Sequence, residues 1–238
     1  MAKKKTNFSD DNYQFNPNDD LDIFYSLRLD DEQKTFVRAI MNPDNIAVFC
    51  NAVAGTGKTT LAMGCANLLY KDKRNNYDSI LYIVSPYGER RQGFLPGSVT
   101  EKSAVYFEPA HQAMIECNMN PFTDIMEGSL ADRDKDKDDG FVKMMTHTFQ
   151  RGTNLKKSII IIDEAQNFTV SELKKVFTRC HDTDKIIVIG HDGQIDISER
   201  SGFTKYIQHY EGKDHIEVCK LTTNHRGWFS THADNLVE

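Results

Sequence analysis

NIAVFCNAVAGTGKTTLAMGCANLLY, residues 45–70, is the stretch on which the fold turns. The apolar run NIAVFCNA feeds a short loop containing Gly55 and Gly57, and the loop feeds a segment with Leu61, Cys65, Leu68 and Leu69 at helical spacing. Strand, glycine loop, helix is the setting of a phosphate loop, G-x-x-x-x-G-K-[ST]. The match misses at one anchor: counting back from Gly57 reaches Ala52, where the pattern has glycine. Alanine resists positive φ, but the exchange costs little where the backbone is extended. Gly55 and Gly57 let backbone N–H groups converge on an anion, which also meets the N-terminus of the following helix. On this reading Ala54, Gly55, Thr56, Gly57, Lys58, Thr59 and Thr60 wrap the phosphates of a nucleotide. Lys58 reaches the outer phosphates and the Thr59 hydroxyl holds magnesium.

Outward from the loop, SILYIVS (79–85), SIIIIDE (158–164) and KIIVIG (185–190) are continuous apolar runs without alternation. Such runs suit strands buried on both faces, as in a parallel sheet covered by helices. HIEVCKL (215–221) alternates and is expected at an edge. SELKKVFTRC (171–180) lies between two of the buried runs, as a parallel crossover requires. LDDEQKTFVRAIM (29–41) puts Phe36, Val37, Ile40 and Met41 on one helical face after an acidic start. The expected architecture is α/β, a three-layer sandwich around a mainly parallel sheet.

In such sheets ligands bind beyond the carboxyl ends of the strands. The four isoleucines of IIIIDEAQ deliver Asp163 and Glu164 there, one acid to hold magnesium and its neighbour to polarise an attacking water. KIIVIGHDGQID delivers Gln194 and Asp196 to the same edge, and Gln194 is placed to bond a γ-phosphate or that water. LTTNHRG offers Arg226, which would neutralise charge developing on a γ-phosphate. Gln33, one helix and one strand before the loop, either reads an adenine edge or is a solvated side chain; residue type does not choose.

The chain has 238 residues, with 39% apolar and 27% charged, enough for a real core. Its net charge of −6 gives no global basic footprint, so nucleic-acid contact would need a local patch. YGERRQGF supplies one candidate, with Arg90 and Arg91 beside Tyr87 and Phe94 to track phosphates and stack on bases of single-stranded RNA or DNA. Five scattered cysteines without a C-x-x-C pair read as reduced thiols in a cytoplasmic setting. No apolar run is long enough for a membrane span. Residues 1–20 read as a flexible polar tail rather than a signal peptide, and 21–238 as a single domain. Within it SLADRDKDKDDG (129–140) reads as a mobile charged loop.

Taken together these segments resemble the PhoH-like family, and more broadly the superfamily-one helicases, over roughly Leu29 to Leu236. The most specific piece is SPYGERRQGFLPGSVTEK, with Gly93-Phe94-Leu95-Pro96-Gly97 followed by Glu101-Lys102. QRGTNLKKSIIIIDEAQN is similar to the family's run into its acidic motif, with Thr153 where a second arginine is common. GHDGQID is similar to the family's G-D-x-x-Q-I-D, with His191 replacing the first acid. TTNHR resembles an N-Y-R motif whose arginine touches the γ-phosphate, which implies that role for Arg226. Helicases of that superfamily also carry A-x-x-G-x-G-K-T loops, so Ala52 resembles a tolerated variant.

The resemblance implies a RecA-like phosphate-loop NTPase core. It implies ATP and Mg2+ as cofactors and a homo-oligomer in the form of a hexameric ring. The short length is similar to phage-encoded members, which would place the protein in host cytoplasm. The leading expectation is magnesium-dependent ATP hydrolysis coupled to single-stranded RNA or DNA, with helicase activity as its fullest form. The alternative is a nucleotide-dependent regulatory or assembly protein without strand activity. A small-molecule kinase is disfavoured because no second substrate pocket is legible.

Overall fold

The computed structural model describes residues 21–86, 99–126, 140–146, 155–197 and 200–234. Arg90 and Arg91, the Gly93–Gly97 string, Arg151 to Thr153, the tail and nearly all of the charged run at 129–140 lie outside the described residues.

A hairpin of β1 (Ile23–Phe24) and β2 (Leu27–Arg28) opens the described chain. Its turn residues Tyr25 and Ser26 both have positive φ, 45° and 69°, the geometry that matches the twist of paired strands. Helix α1 (Asp31–Met41) follows, closed at its start by a reciprocal capping box between Asp30 and Gln33. Then come β3 (Ala47–Ala52), α2 (Lys58–Lys71), β4 (Ser79–Val84), α3 (Val99–Glu116) and the single turn α4 (Pro121–Asp124). The rest is β5 (Val142–Thr146), β6 (Ser158–Ile162), a 3-10 turn (Ala165–Asn167), α5 (Val170–Phe177), β7 (Lys185–Gly190), α6 (Phe203–Tyr210), β8 (Ile216–Leu221) and α7 (Trp228–Asp234).

Six strands form one sheet in the order β5-β4-β6-β7-β3-β8. Every pairing in it is parallel. Side chains alternate between two buried faces. Val48, Cys50 and Ala52 of β3 join Ile159 and Ile161 of β6 in a core under α1, α2 and α3. Ala47 and Phe49 join Ile160 and Ile162 in a second core under α5 and α6. That is why the strands read as unbroken apolar runs: both sides of the pleat face a helix layer. All four isoleucines of β6 are fully buried. At about 1.5–3 kcal/mol for each such side chain, β6 alone contributes hydrophobic stabilisation comparable to the net stability of a typical domain.

The expected three-layer sandwich is therefore present, and β8 lies at an edge as its alternation suggests. One strand, β7, stands between the strand that enters the glycine loop and the strand that ends in the acids, a RecA-like arrangement. No helix among the described residues is long and apolar enough to cross a membrane.

Candidate active site

The carboxyl ends of β3, β6, β7 and β8 converge on the loop between β3 and α2. Ala52 is the last residue of β3, fully buried and paired with Leu221 of β8. Its backbone is extended, so the glycine of the general pattern has no left-handed φ to supply here. The turn itself depends on Gly55 and Gly57, at φ 75° and 77°. Gly57 is the N-cap of α2 and brings no side chain to it. The first helical N–H taken up inside the turn is that of Leu61, donated to the Gly57 carbonyl at 2.9 Å. The N–H groups before it point out of the helix end, where an anion is favoured.

The loop is held from both sides. The buried Thr56 hydroxyl donates to the Val53 carbonyl at 3.1 Å, and the Val53 N–H donates to the Leu221 carbonyl at 3.0 Å. Gln33 gives its Nε2–H to the Thr56 carbonyl at 2.9 Å, while its Oε1 accepts the Asp30 N–H at 3.1 Å. Gln33 is thus buried against the loop with both ends of its amide engaged, the second Nε2–H remaining for a base. From the other side, the His225 N–H donates to the Gly55 carbonyl at 2.9 Å. A Cβ built on Gly55 would stand 2.5 Å from Asn224 Oδ1 and 3.0 Å from Arg226 Cγ. Arg226 therefore lies beside the loop of its own chain. Its N–H donates to Asn224 Oδ1 at 2.8 Å, which turns the segment over the loop. Two acids of the α1 start clamp this segment. Glu32 accepts the N–H and hydroxyl of Thr222 at 2.6 and 2.7 Å, and Asp30 meets His225 Nε2 at 2.9 Å.

On the sheet side Lys58 Nζ lies 3.2 Å from Glu164 Oε1. The Thr59 hydroxyl donates to Asp163 Oδ2 at 2.7 Å, and the Tyr82 hydroxyl donates to the same oxygen at 2.7 Å. Asp163 Oδ1 accepts the N–H of Glu164 at 2.7 Å. Asp163 is 1% exposed. Burial first, and then the Glu164 charge, push its carboxyl above the usual range, against the pull of Lys58, Tyr82 and Thr59. A hard divalent cation favours such a pair, carboxylate and hydroxyl oxygen side by side, with phosphate oxygens completing its shell. Glu164 itself has φ 50° and ψ 42°, a left-handed backbone that a non-glycine residue rarely adopts.

Of the sequence candidates, Lys58, Thr59, Asp163, Glu164 and Arg226 meet around this one loop. Gln194 is exposed on the loop leaving β7, its N–H donated to the His191 carbonyl at 3.1 Å. Thr60 turns away: its hydroxyl donates to Glu116 of α3 at 2.8 Å, leaving its backbone N–H for a phosphate. Ala54 contributes loop backbone between β3 and the glycines. Tyr82, Gln166, Asn167 and Asn224 belong to the site as well, though motif spacing does not single them out. The signal for two of them stands in the sequence, since Gln166 and Asn167 directly follow the acids.

A family model described as PhoH-like protein matches residues 28–226. PhoH-like proteins of Mycobacterium tuberculosis (strain ATCC 25618 / H37Rv) and Bacillus subtilis (strain 168) are 33% and 30% identical over 193 residues, covering 80% and 79% of this chain and 51% and 56% of theirs. Protein PhoH of Escherichia coli (strain K12) is 26% identical over 201 residues, 82% of this chain and 52% of that one. The chain thus spans about half the length of the curated relatives it matches. The solved Bacteroides sp Pif1 in complex with ADP-AlF4 aligns at TM-score 0.41 and 15% identity, covering 87% of this chain and 45% of that one, a likeness too loose to bear on function. The family match runs from β2 through the glycine loop and the acids of β6 to Arg226, and the chain belongs to the PhoH-like family.

Proposed function

We propose that this chain binds ATP with magnesium and hydrolyses it, and that single-stranded RNA or DNA stimulates the turnover. The observation that carries the first half is the pairing of Lys58 with Glu164 at 3.2 Å beside the Thr59–Asp163 contact at 2.7 Å, at the mouth of an uncapped helix. Bound phosphates would meet the free N–H groups of the first α2 turn and the Lys58 ammonium. Lys58 then exchanges a carboxylate partner for a phosphate one, which leaves Glu164 Oε1 to accept a proton from water. Thr59 and Asp163 would hold magnesium, which supplies charge neutralisation at the outer phosphate oxygens. Arg226, beside Gly55, and Gln194, on the loop leaving β7, would approach the same outer phosphate.

The strand half rests on Arg90 and Arg91 in YGERRQGF. The second reading, a nucleotide-dependent regulator without strand activity, is favoured by the net charge of −6. One assay separates them: ATP turnover with and without single-stranded RNA or DNA, at low and moderate salt. Stimulation that weakens steeply with salt supports phosphate tracking. Turnover indifferent to either strand supports the regulator, and no turnover at all overturns the hydrolytic reading.

The same reading includes a homo-oligomeric ring, hexameric as the family resemblance implies. One chain lines one side of the nucleotide and leaves the Glu164 side chain 40% exposed. A neighbouring copy would cover that opening and exclude water from it.

A further inference from the structure

The turn after the acids is riveted to the loop that leaves β7. Gln166 is 1% exposed and uses both ends of its amide. Its Oε1 accepts the backbone N–H of His191 at 3.0 Å, and its Nε2 donates to Glu164 Oε2 at 2.6 Å. One residue on, Asn167 makes a reciprocal pair with Asp196: the Asp196 N–H donates to Asn167 Oδ1 at 2.9 Å, and Asn167 Nδ2 donates to Asp196 Oδ2 at 3.3 Å. His191 and Asp196 bracket Gln194. The close approach needs glycine at the end of β7. A Cβ on Gly190 would stand 2.7 Å from Gln166 Oε1 and 3.1 Å from the Gln166 nitrogen.

We propose that Gln166 and Asn167 are positioning residues that fasten the Gln194 loop to the Glu164 carboxylate, so that the group facing the outer phosphate and the group accepting the water proton move as one unit. The inference rests on the hydrolytic reading above and adds a linkage to it. Lys58 is Glu164's partner only while no phosphate claims the ammonium. Gln166 Nε2 is bound to the other carboxylate oxygen, so it keeps Glu164 aimed after Lys58 has left. A shift of the Gln194 loop pulls on the His191 backbone, and through one side chain it reaches Oε2 of Glu164.

The test uses the full chain and steady-state ATP turnover, with nucleotide affinity read separately by a fluorescent ATP analogue. Gln166→Glu is nearly isosteric; it keeps the acceptor for His191 N–H and sets a second carboxyl group against Glu164 in place of the neutral donor, whereas Gln166→Met removes both bonds without adding charge. Both variants lose the hydrogen bond to the Glu164 carboxylate, and each should lower kcat by about ten- to a hundredfold, with KM and nucleotide affinity within about twofold of the parent. Asn167→Ala should lower kcat in the same pattern but less. A cycle of Gln166→Glu and Gln194→Ala should be non-additive, the double variant losing little more than the worse single one. A kcat for Gln166→Glu close to the parent's overturns the linkage, as does strict additivity, or a rise in KM alone. If the parent binds nucleotide without turning it over, the hydrolytic reading fails and this one with it. If the parent turns over and the variants match it, only the linkage fails.

Discussion

At the residue scale the site depends on a few backbone conformations that one side chain would spoil. Gly55→Ala would carry a Cβ into a φ of 75° and to 2.5 Å from Asn224 Oδ1. The left-handed strain alone costs about 1–2 kcal/mol, so nucleotide affinity should fall by about tenfold or more, measured by titration with a fluorescent ATP analogue. Ala52→Gly, in extended backbone, should leave it nearly unchanged; a large gain would mean that the loop wants a conformation that alanine forbids. Glu164→Gln keeps the shape of the side chain and removes the charge that accepts the water proton. Turnover should fall by about 10²–10⁴ while nucleotide still binds. Lost affinity instead would mark Glu164 as a metal ligand and exchange its role with that of Asp163. The sequence shows these residues because glycines, a lysine and adjacent acids carry their chemistry in their identity. It places Gln166 just after the acids but does not show what its amide or that of Asn224 meets, which is set by where the chain returns after β7 and β8.

At the element scale α2 carries the loop at its start and accepts two packed elements along its length. Gly64 lies inside this helix, where alanine would ordinarily be worth up to about 1 kcal/mol. Here a Cβ would meet Phe24 Cε1 at 2.6 Å and Cys117 Sγ at 3.0 Å, and the Tyr25 hydroxyl donates to the Gly64 carbonyl at 3.5 Å. The β1–β2 hairpin and the end of α3 therefore rest on that glycine. Gly64→Ala should destabilise the protein by about 1–3 kcal/mol in urea unfolding despite the better helix former. Phe24→Leu in the same chain should recover part of the loss, and a stabilised Gly64→Ala would show that the hairpin packs elsewhere. The strands β3, β4, β6 and β7 were legible because both faces are buried. Three kinds of element were not. The two-residue strands β1 and β2 carry no period, edge strand β5 is a short mixed run, FVKMMT, and α3 holds Pro109, which reads as a break. The helix continues around Pro109 and packs on α2, with Ala110, Ala113 and Met114 buried in the core that the two helices share.

At the scale of the whole molecule, five free thiols and one buried amine act in opposite directions as the pH rises above 9, and buried tyrosines such as Tyr82 join the thiols above 10. Lys185 is 2% exposed and donates to the Asn42 and Asn45 carbonyls, and burial pulls its ammonium down to about 8. Burial pushes all five cysteines up, Cys180 and Cys219 to about 12. Between pH 8 and the amine's ordinary value of 10.5 the unfolded chain binds the Lys185 proton more, so this group adds stability as pH rises. Above their ordinary value of 9.0 the folded chain holds the thiol protons that the unfolded chain loses, so each cysteine removes stability at up to about 1.4 kcal/mol per pH unit. Five groups outweigh one, and the urea midpoint under reducing conditions should fall between pH 9 and 10.5; a rise would mean that the amine dominates. Assembly is the other property of this scale, and the sheet's polarity narrows how a neighbour would take part. Arg226 stands beside Gly55 of its own chain, so a phosphate that it met would be one held by its own loop. Helix α5 begins after the β6 carboxyl end and runs back, so Arg179, just past it, stands at the amino edge, opposite the loop. If Arg179 acts on a phosphate at all, that phosphate belongs to another copy. Turnover per subunit should then rise with protein concentration until the ring is complete. Lys58→Ala subunits lack a working loop but keep Arg179, and Arg179→Ala subunits have the reverse defect. Mixing the two inactive variants should restore part of the activity, read as turnover against mixing ratio. Full turnover from a sample that sediments as a monomer would remove the need for a neighbour, and mixed subunits no more active than either parent would exclude Arg179 as the residue supplied across the boundary.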